Sequence, residues 1–388
     1  MSYFIGRNRE ARYTYGFDDV ALVPGNITVD PEDVDVSVEI ANLKLKIPFL
    51  ASAMDGVVDV KMAVAFNKIG GLAVLNLDGI NTRYENPEEA INELINAPPD
   101  RLTEVFQKIY KEPVKLKLIS KRVEEIKKHG VYCAVSSIPQ NAEKYGPIAR
   151  EAGADIYFVQ ATVLTVKYYS SKQKPLNLER FIKEMKIPVV LGNCVTYKVA
   201  LELMEVGASA VLVGIGPGAA CTTRGVLGIG VPQVTATVDC AEARDVYFKR
   251  TGRYIPIITD GGMLTGGDVC KAIACGADAV MIGSPFAKAV EAPGKGYHWG
   301  MATPHANLPR GTRVYVGITG TIEEILLGPA RTDDGTQNLV GALKTSMGAV
   351  GARNIKEMQM TQIIIAPSIK AEGKLLQKTQ VVGMGRQK

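Results

Sequence analysis

Apolar residues in this chain gather into short runs. Each run is followed, after a polar or glycine-rich break, by a stretch in which apolar positions recur every three or four residues. Runs of the first kind suit strands buried on both faces, and stretches of the second kind suit helices lying against them. The pattern predicts strands over 47–54 (IPFLASAM), 72–76 (LAVLN), 131–137 (VYCAVSS), 155–161 (DIYFVQA), 187–193 (IPVVLGN), 210–213 (AVLV), 254–262 (YIPIITDGG) and 278–284 (DAVMIGS). Helices are predicted over 59–69, 142–151, 178–185, 197–206, 233–250 and 267–275, with a further one over 338–349. Three helices end in the related phrases EAGAD, EVGAS and ACGAD, each running straight into an apolar strand. Glycine at a helix end followed at once by a strand is the turn of a repeated βα unit.

Eight such units in one chain predict an α/β protein of the closed (β/α)8 TIM-barrel type, in one domain over 1–388, with an open doubly wound sheet as the weaker alternative. No GxGxxG follows the first strand, which counts against a dinucleotide-binding sheet of the Rossmann kind. Four segments fall outside the repeat. Residues 1–45 read as extended structure across one end of the barrel, and 80–130 as a short helical insertion. Residues 291–335 read as a flap-like insertion on the catalytic face, and 366–388 as a Lys- and Gly-rich tail that either orders over the site or stays mobile. Within 80–130, Asp100 is the expected N-cap of a helix starting near Arg101, and the run KRVEEIKKHG is expected to be a solvated face.

The chain is 46% hydrophobic and 22% charged, an ordinary soluble composition, and its formal charge of +5 is spread without a long basic block. That argues against nucleic acid as a partner and is compatible with a phosphorylated small molecule. No run approaches the length of a membrane span, and no apolar leader opens the chain, so a cytoplasmic location is expected. The six cysteines form no CxxC pair and have three histidines for company, which disfavours a zinc site, and a disulfide framework is not expected in a chain of this size.

In a parallel barrel the carboxyl ends of all strands meet on one face, so residues far apart in sequence converge there. That face gathers Ser52 and Met54, Gln160, Asn193, the loop 214–224 (GIGPGAACTTR), Asp260 to Gly262, and Gly283 with Ser284. Alternate glycines at 214, 216 and 218 leave backbone amides and carbonyls free to close on a ligand or an ion. Cys221, at the end of that loop, is a candidate nucleophile; the competing reading is a small buried filler. Loops after strands seven and eight form the usual barrel phosphate site, and here they carry Asp260-Gly261-Gly262 and Gly283-Ser284. A thiol, a carboxylate suited to ribose hydroxyls and a phosphate cradle together point to a nucleotide.

The phrase GIGPGAACTTR closely resembles the catalytic-cysteine loop of inosine-5′-monophosphate (IMP) dehydrogenases and guanosine-monophosphate (GMP) reductases. The likeness extends over almost the whole chain, through YGFDDVALVPG, IPFLASAMDGVVDVKMAVAFNKIGGLAVLN, VVLGNCVT, TDGGMLTGGDVCKAIACGADAVMIGSPFAKAVEAPG and HWGM. Between strands two and three the family usually carries a regulatory CBS pair; the helical insertion here is too short for one. The chain therefore resembles the short, CBS-lacking, IMP dehydrogenase-like group.

This resemblance implies NAD-dependent oxidation of IMP to XMP in guanine nucleotide biosynthesis, through a covalent thioimidate on Cys221, with Thr223 as a catalytic threonine. It implies that Ser52, Met54, Asn193, Asp260, Gly262, Gly283, Ser284, His298 and Met301 bind IMP, and that Gln160 and Gly214 face the NAD cofactor. It further implies a potassium ion on the carbonyls of Gly216, Gly218 and Cys221, and a homotetramer or an octamer stacked from two. Four positions depart from the family pattern. Ala219 replaces a phosphate-binding serine, Gln160 an aspartate for the cofactor ribose, and His298 a tyrosine; the water-activating arginine is represented by Arg310. The alternatives are GMP reductase, which turns GMP into IMP and ammonia with NADPH, a catalytically silent purine-nucleotide-binding regulator, and a flavin-dependent barrel oxidoreductase.

Overall fold

The computed structural model describes residues 2–300, 312–369 and 374–380. A hairpin, β1 (Ser2–Gly6) with β2 (Arg9–Arg12), opens the chain, followed by β3 (Val20–Leu22) and a second hairpin, β4 (Val38–Ile40) with β5 (Leu43–Leu45). The eight strands that follow are β6 (Phe49–Ala51), β7 (Leu72–Asn76), β8 (Ala134–Ser137), β9 (Ile156–Gln160), β10 (Val189–Cys194), β11 (Ala210–Val213), β12 (Ile257–Asp260) and β13 (Ala279–Ile282). All are parallel, and β13 pairs with β6 to close the barrel. The (β/α)8 expectation is correct, and every expected strand lies in it.

Alternation along each strand sorts the core into layers. Leu50, Val74, Phe158, Val190, Leu212, Ile258 and Met281 fill the barrel interior, and Ile40, Leu43 and Leu45 of the second hairpin plug its amino end. The expected extended cover across one end is thus supplied by β4 and β5. Residues of the opposite parity, such as Phe49, Leu75, Tyr157 and Val213, face the surrounding helices.

The first of these helices, α1 (Val60–Ile69), is capped by Asp59, whose carboxylate accepts from the Met62 amide at 2.8 Å. The insertion before β8 comprises α2 (Pro87–Asn96), α3 (Leu102–Lys111) and α4 (Leu116–Lys127). Two expectations fail there. Asp100 lies in a 3-10 turn, Pro99–Arg101, and the residue preceding α3 is Arg101, which makes no side-chain cap. Arg122, in the run expected to be solvated, is buried, because its guanidinium donates to the carbonyls of Asn81, Tyr84 and Glu85 and pairs with Glu125. The run gains solvent only on its other side.

The repeat then continues with α5 (Pro139–Glu151), α6 (Leu178–Met185), α7 (Tyr197–Glu205), a short α8 (Thr223–Leu227), α9 (Gln233–Thr251), α10 (Gly266–Ala274) and a single turn, α11 (Ser284–Ala287). The flap region supplies the strands β14 (Tyr297–Trp299) and β15 (Arg313–Tyr315) and the helix α12 (Ile322–Leu326). After it come α13 (Leu339–Val350), α14 (Ile355–Met358), β16 (Ile363–Ile365) and α15 (Leu375–Gln380). β16 pairs with β3, which ties the two ends of the chain together. Most of the tail beyond it lies outside the described residues.

The three repeated phrases do more than turn the chain. Gly153, Gly207 and Gly276 have φ of 103°, 104° and 108°, in the region that a side chain disfavours. The polar residue two places on then bonds the start of the neighbouring strand. Asp155 accepts from the Cys133 amide at 2.6 Å, Ser209 from Val189 at 3.2 Å and Asp278 from Ile257 at 2.8 Å.

Asp278 is fully buried and also accepts from Arg244 at 3.0 Å, Tyr254 at 2.7 Å and Lys356 of α14. Desolvation alone would raise its carboxyl, but Arg244 and Lys356 outweigh it and hold the group below its ordinary value. Burial holds the Lys356 ammonium below its ordinary value, and its pairing with Asp278 opposes that fall. Replacing Asp278 with Ala leaves the buried Arg244 with the exposed Asp245 as its remaining carboxylate, and urea unfolding is expected to show a loss of about 3–5 kcal/mol. In the parent protein the contribution is present at neutral pH and disappears as acid protonates the carboxylate below its usual range.

Candidate active site

A cavity of about 540 Å³ opens at the carboxyl end of the barrel, within the size range of small-molecule sites. Ser52, Met54, Gln160, Asn193, Gly214, Gly216, Gly218, Cys221, Thr223, Asp260, Gly262, Gly283, Ser284 and His298 all line it. The candidates taken from seven separate segments therefore share one space. Met301 and Arg310 lie outside the described residues.

The joint between β11 and β12 holds the cavity's shape. Gln233, the first residue of α9, is buried, and its Nε2 lies 3.3, 2.9 and 3.2 Å from the carbonyl oxygens of Val213, Asp260 and Gly261. Gly214 stands between these groups with φ of 149°. A Cβ there would fall 2.3 Å from the Asp260 carbonyl, so only glycine lets the chain leave the strand at this point. Neither composition nor periodicity singles out Gln233.

From Gly214 the loop folds back over the strand ends. The Cys221 amide donates to the Gly218 carbonyl at 3.0 Å, and Arg224 ties the loop down through the carbonyls of Ile215 at 3.2 Å and Val231 at 2.8 Å. Cys221 is exposed, whereas the other five cysteines are buried. Its Sγ lies 3.2 Å from Oγ1 of Thr223. The buried-filler reading of Cys221 is thereby removed.

Asn193 is the extra residue of a bulge in β10, where the pairing with β11 shifts between Gly192 and Cys194. A bulge re-aims a side chain. Here it sends the Asn193 amide to Oδ2 of Asp260, donating at 2.7 Å. Burial pushes the Asp260 carboxyl up to about 6, and the Asn193 bond restrains that rise.

On the far wall, Gly283 lets Met54 approach, since a Cβ there would sit 2.7 Å from its sulfur. Ser284 Oγ is 3.1 Å from Nε2 of His298, which reaches in from β14. Burial pushes the His298 imidazole down to about 4, so it is neutral at pH 7. Its Nδ1 and the Oε1 of Gln160 are buried without a partner among the described residues. An unsatisfied buried polar atom is costly: the Gln160 Oε1 fits a ligand that brings a donor, and the His298 Nδ1, in the tautomer that carries its proton, fits one that brings an acceptor.

No lysine or arginine lines the cavity among the described residues. An anionic group there would be held by amides, the Ser284 hydroxyl and His298. No cluster of three or more His, Cys, Asp or Glu that could hold a metal occurs among the described residues, so a cation on the 214–221 loop would depend on carbonyl oxygens. Gly216, with φ of 72°, turns the loop there, and the Gly218 carbonyl keeps one lone pair beyond its bond to the Cys221 amide. A monovalent ion held by backbone carbonyls fits this loop; a metal needing anionic ligands does not.

Fold and pocket together define a (β/α)8-barrel protein whose ligand site, with its exposed thiol, lies at the carboxyl ends of the strands. The IMP dehydrogenase / GMP reductase domain matches residues 14–374. An uncharacterized oxidoreductase of Mycolicibacterium smegmatis is 37% identical over 93% of this chain and 99% of its own. Inosine-5′-monophosphate dehydrogenase of Cryptosporidium parvum is 31% identical over 88% and 89% respectively. The crystal structure of an IMP dehydrogenase/GMP reductase-like protein from Corynebacterium glutamicum superposes with a TM-score of 0.89 at 35% identity, over 94% of this chain and 98% of that one. The chain is an oxidoreductase of the IMP dehydrogenase / GMP reductase family.

The cavity makes a chemical prediction that needs no ligand. Brief treatment of the native protein with iodoacetamide, followed by peptide mass analysis, is expected to modify Cys221 alone, and Cys221→Ala is expected to leave no fast-reacting thiol. Fast labelling at Cys133, Cys240 or Cys275 would contradict this burial pattern.

Proposed function

We propose that the protein is an IMP dehydrogenase, oxidising IMP to XMP with NAD. The observation that carries this reading is the convergence of Cys221, Asp260 and the Gly283–Ser284–His298 wall on one cavity. Each answers to one part of a purine nucleotide: ring, ribose and phosphate.

With the phosphate on the amides of Gly262 and Gly283 and on Ser284 and His298, and the ribose hydroxyls on Asp260, the base lies beneath the Cys221 loop. Ser52, Met54 and Asn193 shape its pocket, and Met301 is proposed as a further contact. The Cys221 thiolate attacks C2 of the hypoxanthine, and C2 gives up a hydride, so the ring remains bound to sulfur as a thioimidate. Water then adds at C2, the carbon–sulfur bond breaks, and XMP leaves with the thiol restored. A nucleophile of this kind divides one difficult oxidation into two easier steps. Thr223 stands beside the sulfur at 3.2 Å, where its hydroxyl can exchange a proton with the thiol or the entering water.

NAD, when bound, supplies the hydride acceptor. The Gln160 Oε1 left without a partner suits a ribose hydroxyl or a carboxamide of the cofactor, and Gly214 lines the same cavity. Potassium on the carbonyls of Gly216, Gly218 and Cys221 would steady the loop that carries the thiol. Arg310 is proposed as the group that activates water. The assembly expected with this function is a homotetramer.

Incubation with IMP and NAD, with and without potassium, is expected to produce NADH and XMP. Cys221→Ala should lower turnover on the order of a thousandfold or more while IMP still binds. Oxidation of NADPH with GMP and release of ammonia would instead assign GMP reductase, and tight IMP binding without any redox change would assign a regulator.

The ribose contact has its own signature. Hydroxyl donors favour the Asp260 carboxylate over its protonated form, so affinity for inosine, which has no titrating phosphate, is expected to fall as pH drops through about 6 and to level off above it. Asp260→Asn should abolish that dependence. The same slope in the variant would assign the ribose elsewhere.

A further inference from the structure

The helical insertion and the cavity meet on opposite faces of β14. Strand alternation sends His298 into the cavity beside Ser284 and its two neighbours the other way. Tyr297 lies under the Arg313 guanidinium, and Trp299 enters a separate apolar cluster made by Ile80, Ile91, Leu94, Phe106 and Ile109. Phe106 meets the indole edge-on at 6.0 Å. Arg313, on the partner strand β15, donates to the carbonyl of Ile95 at 2.6 Å and of Ala97 at 3.1 Å, at the end of α2.

Inside this cluster runs a chain of hydrogen bonds. The Trp299 indole N–H donates to the Tyr110 hydroxyl at 2.7 Å, and that hydroxyl donates to Oδ2 of Asp55 at 2.6 Å. Oδ1 of Asp55 accepts from the Ile80 amide at 3.0 Å. Four segments distant in sequence are joined: the loop after β6, the turn at Ile80, helix α3 and the strand bearing His298.

Glycines let them close up. A Cβ on Gly79 would fall 2.0 Å from Asp55 Oδ1, one on Gly56 would fall 2.8 Å from the Tyr297 carbonyl, and one on Gly294 would fall 2.0 Å from it. Desolvation pushes the buried Asp55 carboxyl up to about 6, against the bonds from Tyr110 and Ile80 and the charge of Arg83. Keeping a carboxyl in so dry a place is costly, and apolar packing alone would have held Trp299 without it.

We propose that Tyr110 is a positioning residue, holding Trp299 to Asp55 and thereby setting where β14 places His298 beside Ser284, so that helix α3 governs the cavity's affinity for a nucleotide phosphate. The inference rests on the nucleotide reading above. What the insertion supplies is a fixed backing for one wall of the site.

The test is calorimetric titration of the intact protein and of Tyr110→Phe with IMP, GMP and inosine, alongside the fluorescence of Trp299, the chain's sole tryptophan. Tyr110→Phe is expected to weaken binding of the nucleotide about three- to tenfold, the worth of one neutral hydrogen bond, and to leave inosine unchanged. It is also expected to shift the tryptophan emission with no ligand present. In a His298→Ala background the same substitution should cost nothing further, because the effect passes through that side chain. Trp299→Phe, which keeps an aromatic ring and removes the donor, repeats the binding comparison with IMP, GMP and inosine, without the emission readout, should Tyr110→Phe not fold. Equal losses for nucleotide and inosine, an unmoved emission, or nucleotide binding untouched by the substitution would each overturn this inference alone. Parent protein that binds neither IMP nor GMP would overturn the nucleotide reading, and this inference with it.

Discussion

The cavity depends on eight strand ends being held at one level, and the joint under greatest demand is that between β11 and β12. There the chain must turn out of the sheet into the thiol loop while the next strand still presents Asp260. A single amide, Gln233 Nε2, spans three carbonyls on both sides of the joint. Gly214 makes this possible by having no side chain where the Asp260 carbonyl passes. Separate these strands and the sulfur loses its fixed distance from the carboxylate. Rigid strands thus carry the polar groups of the cavity, and a loop tethered at both ends carries the exposed thiol.

Charge in the cavity follows from the same burial. Desolvation drives Asp260 up to about 6 and His298 down to about 4, moving each toward its neutral form. The pocket is thus nearly without fixed positive charge among its described residues, and an anionic ligand meets oriented dipoles instead of ion pairs. Such dipoles lose little to salt and need no rearrangement when the ligand arrives.

The barrel's additions have divided roles. The β4–β5 hairpin seals the amino end, opposite the cavity, and Asp278 with Arg244 and Lys356 pins α14 near the same end. Helices α2 and α3 lie instead against the flap hairpin, and α4 packs on α1 and α5. A segment that buries Arg122 on backbone carbonyls and Trp299 on a phenol has become part of the scaffold.

What could be read from the linear chain was whatever repeats locally. Apolar runs, helical spacing and the Gly153, Gly207 and Gly276 turns each depend on a few adjacent residues, and together they determined the barrel and hence which residues reach its carboxyl end. The family likeness of the Cys221 loop added candidate roles for those residues. Tertiary structure decided the rest: that Gln233 is a tie and not a helix-face polar residue, that Arg122 is buried, that Asp100 caps nothing, and that Asp55, Tyr110 and Trp299 form one chain. These properties are sums over segments separated by up to some two hundred positions, as in the Tyr110–Trp299 bond. Burial and hydrogen-bond partnership are set by whatever the fold brings alongside, and no local spacing carries that information.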